Sequence, residues 1–303
     1  MEHYRSLNSY LKNKYGCKVY KLALDGGFTC PNRDGTLDSR GCIFCSNMAS
    51  GDFAVSTDIG IDNAIEKAKH VVSNKNHSNK YIAYFQNHTN TYGKLDKMRN
   101  LFFTAINNEN IIGISIGTRP DCINQEITDM LYELNKIKPV WIELGLQTIH
   151  KKSSDYIRRC YELDVYDKAV HLLKRSGIYV ITHMIIGLPN ETENMIFETA
   201  EYIGKSGVDG IKFQLLHVLE NTDLATDYRA GLFETLSLEK YLELLAGCIK
   251  RIPPDMTVHR LTGDGNKREL IAPLWSANKK FVLNSINTYF NSINLVQGEL
   301  FNE

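Results

Sequence analysis

The stretch VWIELGLQ, residues 140–147, is apolar at almost every position, and its few exceptions decide how it folds. β-Branched and aromatic residues favour an extended backbone, and a nearly continuous apolar run marks a strand covered on both faces. Alternation then places Glu143, Gly145 and Gln147 on one face. Polar side chains inside a buried strand need partners, so that face is expected to look toward the interior of a curved sheet.

Working outward, the same kind of strand recurs. Apolar strands are predicted at 18–26, 80–86, 111–117, 178–187 and 210–218. Amphipathic helices are predicted near 60–73, 94–107, 126–136, 164–176, 192–205 and 237–251. Six strand–helix units imply a parallel sheet with right-handed crossovers, either doubly wound or curved toward a barrel. In both cases the ligand site lies at the carboxyl ends of the strands. Pro253-Pro254 breaks the pattern and is the expected domain boundary. Beyond it TVHRLTGDG reads as one more strand and turn, followed by a helix near 277–291. The expected units are a helical lead (1–17), a core (18–255) and a C-terminal extension (256–303).

The 303 residues are 43% hydrophobic and 23% charged, ordinary for a globular protein and enough for one large domain with an appendage. Its 35 basic and 35 acidic residues cancel, which removes any global pull toward nucleic acid or anionic membrane. A nucleic-acid partner must then be met by a local patch. The opening MEHYRSLNSYLKNKYG lacks the apolar core of a signal peptide, and no apolar run reaches the ~18 residues of a membrane span. A cytoplasmic location is expected, where thiols stay reduced.

Three of the seven cysteines crowd into TCPNRDGTLDSRGCIFCS at 29–46. Cys30 follows the first strand, and Cys42 and Cys45 form a Cys-x-x-Cys. Such spacing without a secretion signal points to metal or redox chemistry. Three thiolates hold three irons of a cubane cluster whose usual set is four cysteines, and an open coordination position marks a catalytic metal site. Zinc completed by a ligand from elsewhere and a redox dithiol both stay open at this point. Cys17, Cys122, Cys160 and Cys248 read as packed or idle thiols.

With Phe44 directly before the last cysteine, this loop resembles the cluster loop of a radical S-adenosylmethionine (SAM) enzyme. The commonest spacing in that superfamily is Cys-x3-Cys-x2-Cys. The wider first gap resembles the branch that holds the Elongator catalytic subunit, and DGGFTCPNRDGT at 25–36 is similar to its YhcC/YtqA-like group. The resemblance implies an α/β fold, a partial (β/α)6 barrel of the TIM type with an N-terminal helix and a small extension capping the barrel. It implies a 4Fe-4S cluster on Cys30, Cys42 and Cys45, with SAM chelating the open iron. Reductive cleavage of SAM would give a 5′-deoxyadenosyl radical that abstracts hydrogen from substrate, the cofactors carrying the hard step. An electron donor such as flavodoxin or ferredoxin is implied as a partner.

The later strand ends follow in the order that this resemblance requires. Phe44 and Gln86 fall near SAM in relatives, although the Gly-Gly-Glu type sequence usual after the second strand is absent. Thr118-Arg119-Pro120-Asp121 resembles a segment of the Elongator-like branch, and Arg119 at a strand end can grip a carboxylate or phosphate, with a surface ion pair as the alternative. Glu143 and Gln147 match positions that touch SAM's ribose or methionine in relatives, with a structural hydrogen-bond pair as the alternative. Arg159 aligns with an arginine that approaches SAM's carboxylate, while Cys160-Tyr161 departs from the family's Gly-His. Ile185 and Gly187 fall where the backbone of relatives contacts adenine. His183, Lys212, Gln214 and His217 face the same cavity and are candidates for substrate or SAM, with a satisfied core histidine as the alternative for His183.

Basic side chains beside an aromatic can grip a nucleic-acid backbone and stack a base. Arg260, Lys267, Arg268 and Trp275 are therefore candidate RNA contacts, with an ordinary solvated surface as the alternative. The Elongator-like branch acts on the wobble uridine of tRNA, and the chain is too short to add that subunit's acetyltransferase domain. The resemblance thus implies radical processing of a modified wobble-uridine side chain in tRNA, with a small metabolite or a protein as alternative substrates. A zinc-stabilised, non-catalytic RNA-binding module is the competing reading from another class.

Overall fold

A computed structural model describes residues 2–46, 54–73, 78–263, 265 and 267–302. Asp264, in the turn expected after the strand near 257, lies outside the described residues. The strands are β1 (Tyr20–Asp25), β2 (Val55–Ser56), β3 (Tyr81–Phe85), β4 (Ile111–Thr118), β5 (Val140–Gln147), β6 (Tyr179–Ile186), β7 (Gly210–Leu215), β8 (Val218–Leu219), β9 (Thr257–Arg260) and β10 (Leu270–Ala272). Eight of them form a parallel sheet in the order β2-β1-β3-β4-β5-β6-β7-β9. The helices are α1 (Leu7–Tyr15), α2 (Ile61–Val72), α3 (Leu95–Asn107), α4 (Gln125–Ile137), α5 (Lys151–Tyr156), α6 (Leu163–Arg175), α7 (Glu193–Lys205), α8 (Asp223–Arg229), α9 (Leu238–Ile249) and α10 (Lys279–Ser292).

The six expected strand–helix units are present, and the sheet curls without closing. Lys21 on β1 and Lys212 on β7 both reach Glu143 on β5, so the strands wrap a common interior, while β2 and β9 remain separate edges. This is a partial barrel. Side-chain alternation divides it into two faces. Leu22, Phe85, Ile116, Leu144, Met184 and Phe213 point outward into the main core beneath the helices. Inward, at the amino ends of the strands, Ile82, Trp141 and Ile181 pack with Leu11 of α1 and close the floor. Gly113 makes room for the Trp141 ring, since a Cβ there would stand 2.6 Å from it.

Helix starts follow local chemistry. Asn124 accepts the Ile127 N–H at 2.9 Å and Ser237 the Lys240 N–H at 3.1 Å, each satisfying an orphan donor of the first turn. Thr192, expected as a cap, accepts from Met195 N at 3.4 Å. One expected strand is shorter than predicted. The run at 210–218 leaves the sheet after Leu215, and Val218–Leu219 pairs antiparallel with β10 in a second small sheet. The chain there must turn away from the barrel wall, and periodicity carries no signal for that turn. After Pro253-Pro254 the chain adds β9 alongside β7, and the Val258 N–H donates to Arg5 O at 2.8 Å. No described helix is long and apolar enough to cross a membrane.

Candidate active site

The eleven residues between Cys30 and Cys42 fold back on themselves. Arg33 N–H donates to Cys30 O at 2.8 Å, and Gly41 N–H to Asn32 O at 2.7 Å, which returns the chain beside its starting point. Asn32 is fully buried; its Nδ2 donates to Arg158 O at 2.7 Å and lies 3.6 Å from Cys42 Sγ. Arg33 donates from Nη2 to the carbonyls of Cys45 (2.8 Å) and Ser46 (2.6 Å). Ile43 ties the loop to the barrel rim through Ile157 O at 3.2 Å and Leu224 N at 3.1 Å. The polar text between the cysteines is therefore a clamp.

All three thiols are free and line one cavity of about 150 Å³ at the carboxyl ends of the strands. Among the described residues, no three His, Cys, Asp or Glu side chains stand close enough to hold a single metal ion. On zinc, three thiolates would sit roughly 3.8 Å apart, as 2.3 Å bonds at the tetrahedral angle require. Three thiols lining one cavity suit a cluster that takes three cysteines and leaves one iron open. Burial pushes the Cys42 thiol up to about 12, reinforced by Cys45 and opposed by Arg119. Burial also raises Cys45, against the charge of Arg33. Thiolates in this cavity need the positive charge that bound metal supplies.

A second cavity of about 220 Å³ adjoins the first and shares Phe44, Cys45, Tyr84, Gln86, Gln147 and His183 with it. Its far wall carries Ile185, Lys212, Gln214, His217 and Arg260. Gln147 sits at φ 71° beside a bulge in β5, and its buried Oε1 has no protein partner. His88, at φ 53°, likewise presents an unpartnered buried Nδ1 in the cysteine cavity. Unsatisfied buried polar atoms are costly, and two of them facing one cleft are suited to a polar ligand such as SAM.

Beneath the shared wall lies a buried charge cluster drawn from six strands. Glu143 is 0% exposed. Its Oε1 accepts from Lys21 Nζ at 2.6 Å and Ser115 Oγ at 2.7 Å; its Oε2 meets Lys212 Nζ, and His183 Nε2 at 3.0 Å. Lys212 also donates to Tyr84 Oη at 3.0 Å, and both lysine ammoniums lie over the Tyr84 ring. Burial opposes ionisation of Glu143, but Lys21 and Lys212 overcome it and hold the carboxyl well below the usual range. Burial draws Lys212 down to about 7 although Glu143 resists. Burial, with Lys212, takes His183 down to about 4. A neutral His183 that donates from Nε2 to Glu143 accepts at Nδ1 from Gln214 Nε2, 3.2 Å away.

Other predicted residues are placed less centrally. Arg119 lines the cysteine cavity, its Nε and Nη2 on Asp121 at 2.9 and 2.8 Å. Arg159 lines it too, but donates to the carbonyls of Leu146, Thr148 and Tyr161. Those bonds hold a turn in which Arg158 and Cys160 have positive φ. Gly187, at φ 95°, borders neither cavity, and a Cβ there would meet Leu236 at 2.9 Å. Lys267 and Arg268 are exposed outside the clefts. Trp275 is not an open stacking platform, because its indole donates to Leu236 O at 3.0 Å and its ring packs on Tyr241. Lys21, Tyr84, Ser115, His88 and Asn32 escaped the sequence reading. Lys21 and Tyr84 had a usable signal, a polar side chain at an inward position of an apolar strand.

Comparison with known proteins agrees with this geometry. Residues 39–203 match the radical SAM superfamily, and residues 208–292 match the Radical SAM C-terminal domain. The chain is 42% identical to the uncharacterized protein YtqA of Bacillus subtilis over 99% of its length and 93% of that protein. It is 35% identical to protein YhcC of Escherichia coli over 93% of its length and 90% of that protein. Elongator complex protein 3 of Mus musculus is 30% identical over 52% of this chain and 31% of that protein. In fold, the archaeal Elp3 of Methanocaldococcus infernus superposes with a TM-score of 0.69 at 18% identity, over 92% of this chain and 64% of that one.

Proposed function

This chain belongs to the radical SAM superfamily, whose members use a 4Fe-4S cluster and SAM, and on that premise we propose that it processes the side chain of a modified wobble uridine in tRNA. The observation that supports the site assignment is the convergence of three free thiols on one cavity that opens into a second, polar one. When bound, the cluster and SAM supply a 5′-deoxyadenosyl radical able to abstract hydrogen from substrate. Cys30, Cys42 and Cys45 hold the cluster, and the Asn32–Arg33 clamp fixes their spacing. Phe44, Gln86, Gln147 and Ile185 line the wall where SAM rests, with His88 as an added polar contact. Glu143 and Arg159 act one step behind, Glu143 by orienting Lys212 and His183, Arg159 by holding the rim turn. Lys212, Gln214, His217 and Arg260 face the substrate, and Arg260, Lys267 and Arg268 guide RNA toward the cleft. The barrel walls exclude water from the radical.

The tRNA reading rests on the sequence likeness to Elongator complex protein 3, and a cytoplasmic setting with a one-electron donor goes with it. Mass spectrometry of tRNA nucleosides from a strain lacking the gene tests it. Accumulation of one modified uridine at the wobble position is the expected result, and an unchanged nucleoside profile would remove tRNA as the substrate.

A further inference from the structure

Arg119 and Asp121 form an ion pair whose two ends face different ways. Arg119 is buried and lines the cysteine cavity, whereas Asp121 is not among the residues of that wall. Asp121 grips it through two parallel hydrogen bonds at 2.9 and 2.8 Å. A third bond runs from Nη2 to Arg159 O at 2.8 Å, and the Tyr161 ring lies 5.3 Å from the guanidinium carbon. Bidentate geometry of this kind fixes orientation as well as charge. Arg119 shares the wall of this cavity with Cys30, Cys42 and Cys45.

We propose that Arg119, aimed by Asp121, is a positioning charge that sets the reduction potential of the cluster. This rests on the assignment of Cys30, Cys42 and Cys45 as its ligands. The step involved is the gain of one electron by the cluster from the external one-electron donor, with no bond made or broken and no proton moved. A fixed positive charge in a poorly solvated wall stabilises the more negative, reduced cluster. The negative charge of Asp121 opposes that effect, but Arg119 lines the cavity of the thiols and Asp121 does not. The pair thus makes reduction easier than the buried thiolates alone would allow.

The test is a redox titration of the full chain, reconstituted anaerobically and without SAM, followed by the electron paramagnetic resonance signal of the reduced cluster. Arg119→Met should lower the one-electron reduction constant by about tenfold, a shift of about 59 mV to more negative potential. Arg119→Lys should stay near the wild type. Asp121→Asn should move the potential the opposite way, upward, which loosened packing alone would not produce. If Arg119→Met fails to assemble a cluster, Asp121→Asn decides: an upward shift supports the proposal, and an unchanged or lower potential overturns it. A wild-type protein with no cluster signal would remove the ligand assignment and this inference together. A normal signal with potentials indifferent to both substitutions would remove this inference alone.

Discussion

Glu143 carries a full charge where water does not reach, and it survives there because four donors from four other strands converge on its two oxygens. Breaking such a group by removing one partner leaves uncompensated charge and typically costs about 3–5 kcal/mol. Glu143→Ala is therefore expected to lower stability by that order in urea unfolding, and Glu143→Gln by less. His183 gives the pH dependence. It faces Glu143, Lys212, Gln214 and Arg260, and its pKa of about 4 lies below the ordinary 6.5. The unfolded chain then binds a proton that the native one refuses, so this contribution is present above about 6.5 and lost as pH falls toward 4. Between pH 7 and pH 5 the loss is at most about 2 kcal/mol. Unfolding measured at both values should show a steeper acid decline in the wild type than in His183→Gln. At the cluster, Cys30→Ala, Cys42→Ala or Cys45→Ala should each abolish assembly, read as lost iron in anaerobically prepared protein. A variant that keeps its iron would refute that ligand.

The elements themselves were largely legible in the sequence, because each strand has an apolar face pressed against helices and each helix a stripe that answers it. VWIELGLQ is a strand from end to end at the predicted bounds, 140–147. What periodicity missed were features set by the third dimension. β2 has two residues, too few for a pattern, and the break after Leu215 is dictated by where the chain must go next. In the cavity the cysteines and inward polar residues were readable, while His88 and Asn32 were not, since loop residues declare their direction only once the loop is folded. Asn32 lends itself to a test. Replacing it by Ala removes the strong donor to Arg158 O and leaves that carbonyl the weak Cys160 thiol at 3.3 Å, a loss of about 1 kcal/mol. Asn32→Ala should retain the fold by circular dichroism yet bind iron less completely than the wild type.

For the whole molecule the balanced charge has a measurable result. If tRNA is the substrate, Arg260, Lys267 and Arg268 offer about three phosphate contacts, and log K should fall with log[salt] at a slope of only about −2 on a single-stranded loop. Filter binding across a salt series checks this, and a slope several times steeper would mean that a larger basic surface is at work. The cysteine loop bears on a different matter, how membership in such a family is detected. Its first two cysteines are brought together by a backbone bond from Gly41 to Asn32, so the count of residues between them is free to drift. Lengthening a closed loop from three residues to eleven costs only about 1 kcal/mol of chain entropy. The match to the superfamily begins at residue 39 and leaves Cys30 outside. Which residues pinch the loop shut, more than how many lie between the cysteines, therefore marks a chain of this kind.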